Sequence, residues 1–551
     1  MQNEKDKYVC VMFPYPSGEG MHIGHFYNYA IIDSYCNWLR YTGHNVFQPF
    51  GYDAFGLPAE NYAKKVGGDP AIITAKNIEN FQKQLNAMNT KYENKLTTSS
   101  PEYVKWTQWL FTKLYEHGKA YKAFGDVNWC PSCETVLARE QVKQGTCDRC
   151  GSEVVIKQLN QWYFKISDYA ERLYKNLDKL NWPKKTINAQ REWIGKSNGY
   201  EIDFHIKNSD KVITVFTTKP GTITSVEFIA VSRNSEFATK ADDEYITDAV
   251  AINPVTGKDI PIYVANYIIE GYGTSYVMGV PTDDQRDAEF AKRHNIQIHT
   301  NVFQTDHEFD GTETFVRSKT NYKLRDWCVS RQRKWGCPIP IAGETDTLDT
   351  FVDSSFYYVR YCDSENENEM CNSSAYKKVD LYIGGAEHAC MHLIYARFIH
   401  MFLYDIGIVP FEEPFETMVH QGMILNNGEK MSKSKGNVID PTAYDSDELK
   451  FYLMFIGHYF DGGSWSDQNI NGVRRFINNF KKWMTLPDGD VEIDIAKFET
   501  EIFNFTKAFK FNKVVSSFMI LLNANKTKQI TATQRQKLIE LVRIYMPNFT
   551  I

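Results

Sequence analysis

The first sixty residues constrain the fold more than any other stretch. Tyr8–Phe13 is an apolar, alternating run, as a strand requires. It feeds Pro14-Tyr15-Pro16-Ser17-Gly18-Glu19-Gly20, whose prolines and glycines exclude a helix. From about His25 through Arg40, Tyr29, Ile32, Tyr35, Cys36 and Leu39 recur at helical spacing on one face. A second strand is predicted over 45–50, ending in the turn Gly51-Tyr52-Asp53. Strand, glycine-bearing turn, helix and strand are the opening of a doubly wound parallel sheet, so the predicted class is α/β of Rossmann type.

At 551 residues the chain predicts several domains around at least one large core. With 43% hydrophobic and 24% charged residues, wholesale disorder is excluded. No stretch approaches 18 consecutive apolar residues and the N-terminus has no signal-peptide pattern, so a soluble protein is expected. The net charge of −6 gives the whole chain no nucleic-acid footprint. From Phe505 to Ile551, however, eight basic side chains face one acid, Glu540. That tail reads either as a surface for a polyanion or as a solvated helix face. Further along, 167–180 is predicted as an amphipathic helix. Short β-rich runs from about 200 to 278 (Val212–Phe216, Val226–Val231, Ile260–Tyr267) predict an inserted β domain. Leu381-Tyr382-Ile383 returns to the apolar sheet, 363–372 is a loop, and helices dominate from Ser446 onward.

Four of the eleven cysteines make one pattern, Cys130-Pro-Ser-Cys133 and Cys147-Asp-Arg-Cys150, with thirteen residues between the pairs. Two such knuckles resemble a zinc ribbon, in which four thiolates close a tetrahedral shell and stabilise the fold without doing chemistry. Two disulfides or four unrelated thiols are the alternatives. Thiolates kept for zinc point to a reducing, cytoplasmic setting.

His22-Ile23-Gly24-His25 falls where the first strand hands over to the first helix. Backbone N–H groups and the helix dipole receive phosphate there, and two imidazoles can donate to its oxygens. Alone, paired histidines cap or pack. About 400 residues later, Lys430-Met431-Ser432-Lys433-Ser434-Lys435-Gly436-Asn437 is a cationic loop suited to a triphosphate, and alone reads as a solvated charge run. Together they resemble the HIGH and KMSKS signatures of class I aminoacyl-tRNA synthetases.

More of the chain resembles the leucyl-tRNA synthetase family in particular. Met12-Phe13-Pro14-Tyr15-Pro16-Ser17-Gly18 and Asp53-Ala54-Phe55-Gly56-Leu57-Pro58-Ala59-Glu60-Asn61 match its segments. So do Arg325-Asp326-Trp327, Ser330-Arg331-Gln332-Arg333, Trp335-Gly336, Asp349–Ser355 and Tyr382–His388. The resemblance implies leucine activation by ATP to leucyl-adenylate and transfer to tRNA(Leu), with Mg2+ sharing the phosphate charge and Zn2+ structural. It implies that Asp53 holds the leucine α-ammonium and that Met12, Phe13, Tyr15 and His392 line the side-chain pocket. Gly24, Gly384, Glu387, Met431, Ser432 and Ser434 would bind ATP, with Glu387 on the ribose. His22, His25, Lys430 and Lys433 would be catalytic, meeting the phosphates. A monomer is expected.

An apolar pocket separates leucine from a neighbour one methylene different by only ~1–3 kcal/mol, so the family usually adds an editing domain. Thr217, Thr218, Thr222, Asp284 and Asp287 fall on its editing positions. Lys219, Gly221, Ser275-Tyr276 and Asp283 depart from the family pattern, and Tyr276 is expected to block the pocket. Editing is therefore doubtful, the alternative being a vestigial β domain. The expected organisation is a catalytic first half (1–125), zinc ribbon (126–153), linker and helices (154–204) and editing-like insert (205–315). The catalytic second half (316–440), a connecting helical region (441–485) and a shortened anticodon-type bundle (486–551) follow, without the family's elbow-gripping domain. Two other functions share parts of this pattern. A synthetase paralogue would bind or activate an amino acid without charging tRNA; a generic nucleotidylyltransferase would not need Asp53 in its segment.

Overall fold

The computed structural model describes residues 5–138, 141–240, 244–268, 274–299, 307–431 and 436–551. They form two units: one of 1–164, 176–189 and 327–551, the other of 165–175 and 190–326.

In the first unit the opening strand β1 (Asp6–Val11) buries its last four residues, and α1 (Ile23–Tyr41) returns the chain to β2 (Asn45–Phe47). β1 pairs in parallel with β2 on one side and with the strand Val379–Ile383 on the other, in register Val9↔Leu381 to Val11↔Ile383. Val379–Ile383 pairs in turn with Phe415–Val419, again in parallel. The chain thus leaves β1 toward one edge and Val379–Ile383 toward the other. Their adjacent C-terminal ends are the topological switch point, where open α/β sheets bind ligands. The strand predicted over 45–50 is divided. β3 (Pro49–Tyr52) leaves this sheet and pairs in parallel with β4 (Glu93–Thr97), because Pro49 has no N–H to continue the first ladder.

Two helices follow the Asp53 turn. α2 (Leu57–Val66) begins with proline in its first turn; α3 (Pro70–Ala87) is capped by Asp69, which accepts from the Ala71 N–H at 2.8 Å. The cysteine segment hangs from an antiparallel ribbon of Ala120–Cys130 with Val155–Phe164. The helices Ser446–Phe455, Asp467–Met484, Ile495–Lys507, Phe511–Asn525 and Ala532–Tyr545 share one apolar core with α1. Lys450 and Asp33, both fully buried, pair at 2.7 Å inside it. Asp33 also accepts from the Lys91 N–H and the Gln48 amide, the added partners a buried ion pair needs. In the basic tail, Arg535 pairs with Asp488 and Lys537 with Glu499, whereas Lys507, Lys510, Lys513 and Lys526 are exposed.

The second unit is a seven-stranded, largely antiparallel sheet. It starts at Lys196–Ile206 and ends with Val316–Tyr322, which pair along seven residues, so its sheet is wider than the 205–315 read from the β-rich runs. Exposed polar residues in Val316–Tyr322 hid that strand from an apolar pattern. The helix predicted over 167–180 is broken into Ile166–Tyr169 and Leu177–Lys179, both 3-10, around Ala170–Asn176. The N–H and hydroxyl of Ser167 turn to the Asp326 carboxylate, competing with helical bonding at the start.

Candidate functional site

At the end of β1 the histidine signature is built as a helix cap. His22 is the N-cap of α1: its Nδ1 accepts from the Gly24 N–H at 3.0 Å, while Nδ1 of His25 accepts from the His22 N–H at 3.1 Å. This is a capping box made of imidazoles. Both Nδ1 atoms being acceptors, each neutral ring carries its proton on Nε2, the form that donates to an anion. A Cβ on residue 24 would lie 2.9 Å from the His22 ring, so only glycine lets this cap close.

Across the switch point, Met12 donates its N–H to the Ile383 carbonyl at 2.8 Å, so the segments leaving the two strands run side by side. Gly384 is needed here because a Cβ would meet the Met12 sulfur at 2.0 Å. Glu387 is exposed on the short turn Ala386–His388, its carboxylate folded over Gly385. His420, held by Thr186 at 2.6 Å, bonds the Gly384 carbonyl at 2.8 Å, and burial lowers its pKa.

Asp53 follows β3, and its N–H bonds the Pro14 carbonyl, tying the turn to the segment after β1. Its side chain is 1% exposed. Oδ1 accepts from the Thr350 hydroxyl at 3.0 Å, and Oδ2 is buried with no hydrogen bond among the described residues. Burial, reinforced by the neighbouring Asp349 charge, pushes this carboxyl up to about 8. Of Met12, Phe13, Tyr15 and His392, the expected lining of a side-chain pocket, Phe13 and His392 are buried and Met12 and Tyr15 are half-buried. Phe13 stacks on Tyr357 with ring centroids 3.9 Å apart, and Tyr357, Tyr382 and His392 Nε2 form a chain of 2.6 Å hydrogen bonds. Burial lowers the His392 pKa to about 3, so the ring is neutral, and its Nδ1 has no partner among the described residues.

Sequence reasoning passed over Thr350 and Tyr357, although both belong to or adjoin the Asp349–Ser355 match. It also passed over two arginines. Arg149, between the last two cysteines, and Arg333 line one small cleft with Tyr15, Trp335 and Thr350. Arg333 Nη1 is buried with no hydrogen bond among the described residues, and burial lowers that guanidinium to about 10. Arg331, by contrast, is neutralised by Asp349 at 2.5 Å. No spacing rule connects Arg149 to residues 200 positions away; only the ribbon's fold does.

Lys430 is exposed at the end of a two-residue strand, and Met431 is buried. Ser432, Lys433, Ser434 and Lys435 lie outside the described residues. The sulfurs of Cys130, Cys133, Cys147 and Cys150 all lie within 4.8 Å of one another. A tetrahedral ion with ~2.3 Å bonds to sulfur spaces its ligands at about 3.8 Å, so this donor set fits zinc with modest closure.

In the second unit Thr217, Thr218, Thr222, Asp284 and Asp287 line one cavity of about 340 Å³. Tyr276 does not block it. Strand alternation turns Tyr276 into the apolar core beside Phe237, leaving Val277 toward the cavity, which corrects the sequence expectation. Lys219 and Asp283, two positions that depart from the family pattern, pair with each other at 2.7 Å on its wall. Asp287, 2% exposed, is fully engaged: Oδ2 accepts from the Val280 N–H at 3.0 Å, and Oδ1 from Arg286 at 3.2 Å and the Tyr267 hydroxyl at 3.5 Å. Burial raises its pKa, while Val280 and Arg286 oppose the rise.

Residues 7–154 and 289–478 match the family described as tRNA synthetases class I (M), and 191–246 and 236–324 match the leucyl-tRNA synthetase editing domain. A leucine–tRNA ligase of Clostridium perfringens is 39% identical over 658 aligned residues, covering 94% of this chain and 81% of that one. One from Clostridium botulinum is 41% identical over 599, covering 87% and 74%. The agnB2 LeuRS of Agrobacterium radiobacter K84, solved in a ternary complex with tRNA and LeuAMS, superposes with a TM-score of 0.87 at 30% identity. That match covers 98% of this chain and 84% of the other. A methionyl-tRNA synthetase of Mycobacterium tuberculosis, TM-score 0.60 at 16% identity, shares the fold.

Proposed function

The chain belongs to the leucine–tRNA ligase family of class I synthetases, and from that premise we propose how it works: it activates leucine with ATP and transfers the leucyl group to tRNA(Leu). The observation that carries the reading is Asp53, a buried carboxyl with one oxygen that finds no partner among the described residues, tied through its N–H to the Pro14 carbonyl on the segment that leads to the histidine cap.

The leucine ammonium meets Asp53 Oδ2 and returns that carboxyl to its charged form. The side chain enters the pocket of Met12, Phe13, Tyr15 and His392, the neutral imidazole adding no charge to an apolar wall. The leucine carboxylate attacks the α-phosphorus of ATP, forming the carboxyl–phosphate bond of the adenylate and breaking the bond to the leaving pyrophosphate. No protein nucleophile takes part. Nε2–H of His22 and His25 and the α1 N-terminus stabilise charge on the phosphates, while Gly384 and Glu387 hold the adenosine. Lys430, with Met431, Ser432, Lys433 and Ser434, neutralises the leaving pyrophosphate. A hydroxyl of the tRNA's terminal ribose then attacks the adenylate carbonyl and AMP leaves. Mg2+ held by the nucleotide's phosphates would supply further charge neutralisation. Cys130, Cys133, Cys147 and Cys150 hold a structural Zn2+, and metal analysis is expected to find about one per chain.

The cavity in the second unit supports a weak or lost editing activity, because the carboxylate that would take a mischarged ammonium is already satisfied by its own chain. Among the described residues no helix is long and apolar enough to cross a membrane; we place the enzyme in the cytoplasm, as a monomer. The direct test is leucine-dependent ATP–pyrophosphate exchange followed by charging of a tRNA(Leu) transcript. Exchange without charging moves the reading to a paralogue that only activates leucine, and the absence of both reactions refutes it.

A further inference from the structure

The segment Pro16–Met21 delivers His22 to the start of α1, yet it has no regular structure of its own. It hydrogen-bonds to α3 instead. Asn77, Asn80 and Gln84 sit at positions i, i+3 and i+7 of α3, on one helical face. Asn77 Nδ2 donates to the Pro16 carbonyl at 2.9 Å and Asn80 Nδ2 to the Glu19 carbonyl at 2.9 Å. Gln84 makes a reciprocal pair with one residue: Oε1 accepts from the Met21 N–H at 2.7 Å and Nε2 donates to the Met21 carbonyl at 3.2 Å. A single side chain thus does what a neighbouring strand would do for a ladder residue, beside the histidine cap.

We propose that α3 is the positioning element of the phosphate site, its three amides fixing the 16–21 backbone and with it His22, and that Gln84 is the decisive one. Met21 is 2% exposed, so without Gln84 both its backbone groups are stranded away from water. The way out is local. A cavity of about 560 Å³ lies against Glu19, Met21, His22 and Gln84, and Val438 and Asp440, a few residues beyond the lysine loop, line it too. The segment can shift into that space and recover its hydrogen bonds while the core stays folded. The chemistry suffers more than the fold, since a misplacement of about 1 Å costs roughly 100-fold in rate.

This inference rests on the reading that His22 and His25 receive the ATP phosphates, and the experiment separates the two. Leucine-dependent pyrophosphate exchange, leucine affinity and thermal midpoint are measured for Gln84→Met, which keeps the length of the side chain and removes both hydrogen bonds. Gln84→Glu keeps the acceptor alone, Asn80→Ala removes the outermost amide, and His22→Ala is the reference. The expected result is a fall in kcat of about 10–100-fold for Gln84→Met. Gln84→Glu should recover part of it, Asn80→Ala should lose less, and leucine affinity and the thermal midpoint should stay close to those of the parent. Normal exchange in Gln84→Met, while His22→Ala is impaired, overturns the positioning role alone. So does a loss in which leucine affinity and thermal midpoint fall in step with kcat, the mark of a merely structural side chain. Normal exchange in His22→Ala overturns the phosphate reading itself.

Discussion

Asp53 and Asp287 lie one in each unit of this protein, and on the proposed reading each would hold an α-ammonium, of leucine or of a mischarged product. Both are almost fully buried and both carboxyls are raised by that burial. They differ in what surrounds the oxygens. Asp53 has the Thr350 hydroxyl on one oxygen and, among the described residues, no hydrogen bond on the other; Asp287 is claimed by a backbone N–H, a guanidinium and a phenol. A buried carboxylate that its own chain leaves unsatisfied is costly, and a cationic ligand repays that cost on binding. One satisfied from within stabilises its fold and has little left to offer a ligand. Position in a motif does not separate these cases; the count of donors does.

Substitution tests the contrast most strongly. Asp53→Ala is expected to cut kcat/KM for leucine activation by about 100-fold or more, ~3 kcal/mol of transition-state stabilisation, with no loss of fold. An Asp53→Ala enzyme with normal leucine affinity would remove the basis of the comparison.

Next in size is the response to pH. With its carboxyl raised to about 8, unliganded Asp53 keeps its proton at neutral pH, and ammonium binding must release it. Leucine affinity should therefore rise about tenfold per unit from pH 6 to 7 and level off above pH 8, with proton release seen by calorimetry in buffers of different ionisation heat. The sign for stability is opposite. The unfolded chain loses this proton from about pH 4 and the native chain holds it to about 8, so the unliganded protein loses stability across that window. Asp53→Asn should flatten both trends, and affinity independent of pH would show that the carboxylate is charged before leucine arrives.

The smallest effects belong to Asp287. Asp287→Ala strands the Val280 N–H, while the half-exposed Arg286 can turn to solvent; the loss of about 1–3 kcal/mol should appear as a lower unfolding midpoint, with leucine charging unchanged. Hydrolysis of norvalyl-tRNA should be negligible in the parent and in this variant alike. Robust hydrolysis by the parent, abolished in Asp287→Ala, would mean that Arg286 yields to a substrate, and the two carboxylates would be equivalent after all.

The sheet's beginning was legible because strand and helix periods differ and the chain changes from one to the other across a turn that prolines and glycines force. Pro49 was the visible sign that the strand over 45–50 would divide, and it was read through. The strand Val316–Tyr322 was illegible because residues 317–321 are all polar, and pairing with Lys196–Ile206 is what makes it a strand. Tyr276 was misjudged for want of a register: its size was visible, its face was not.

Residue types at a fixed spacing determined the cap of His22 and Gly24, the four sulfurs and the Asp53 turn, since local geometry acts within a few positions. The partners that decide function come from elsewhere in the chain: Thr350 for Asp53, Gln84 for Met21, and Tyr267 for Asp287. Whether a buried polar group is left wanting or satisfied depends on which distant donors the fold packs against it, and only the tertiary structure decides that.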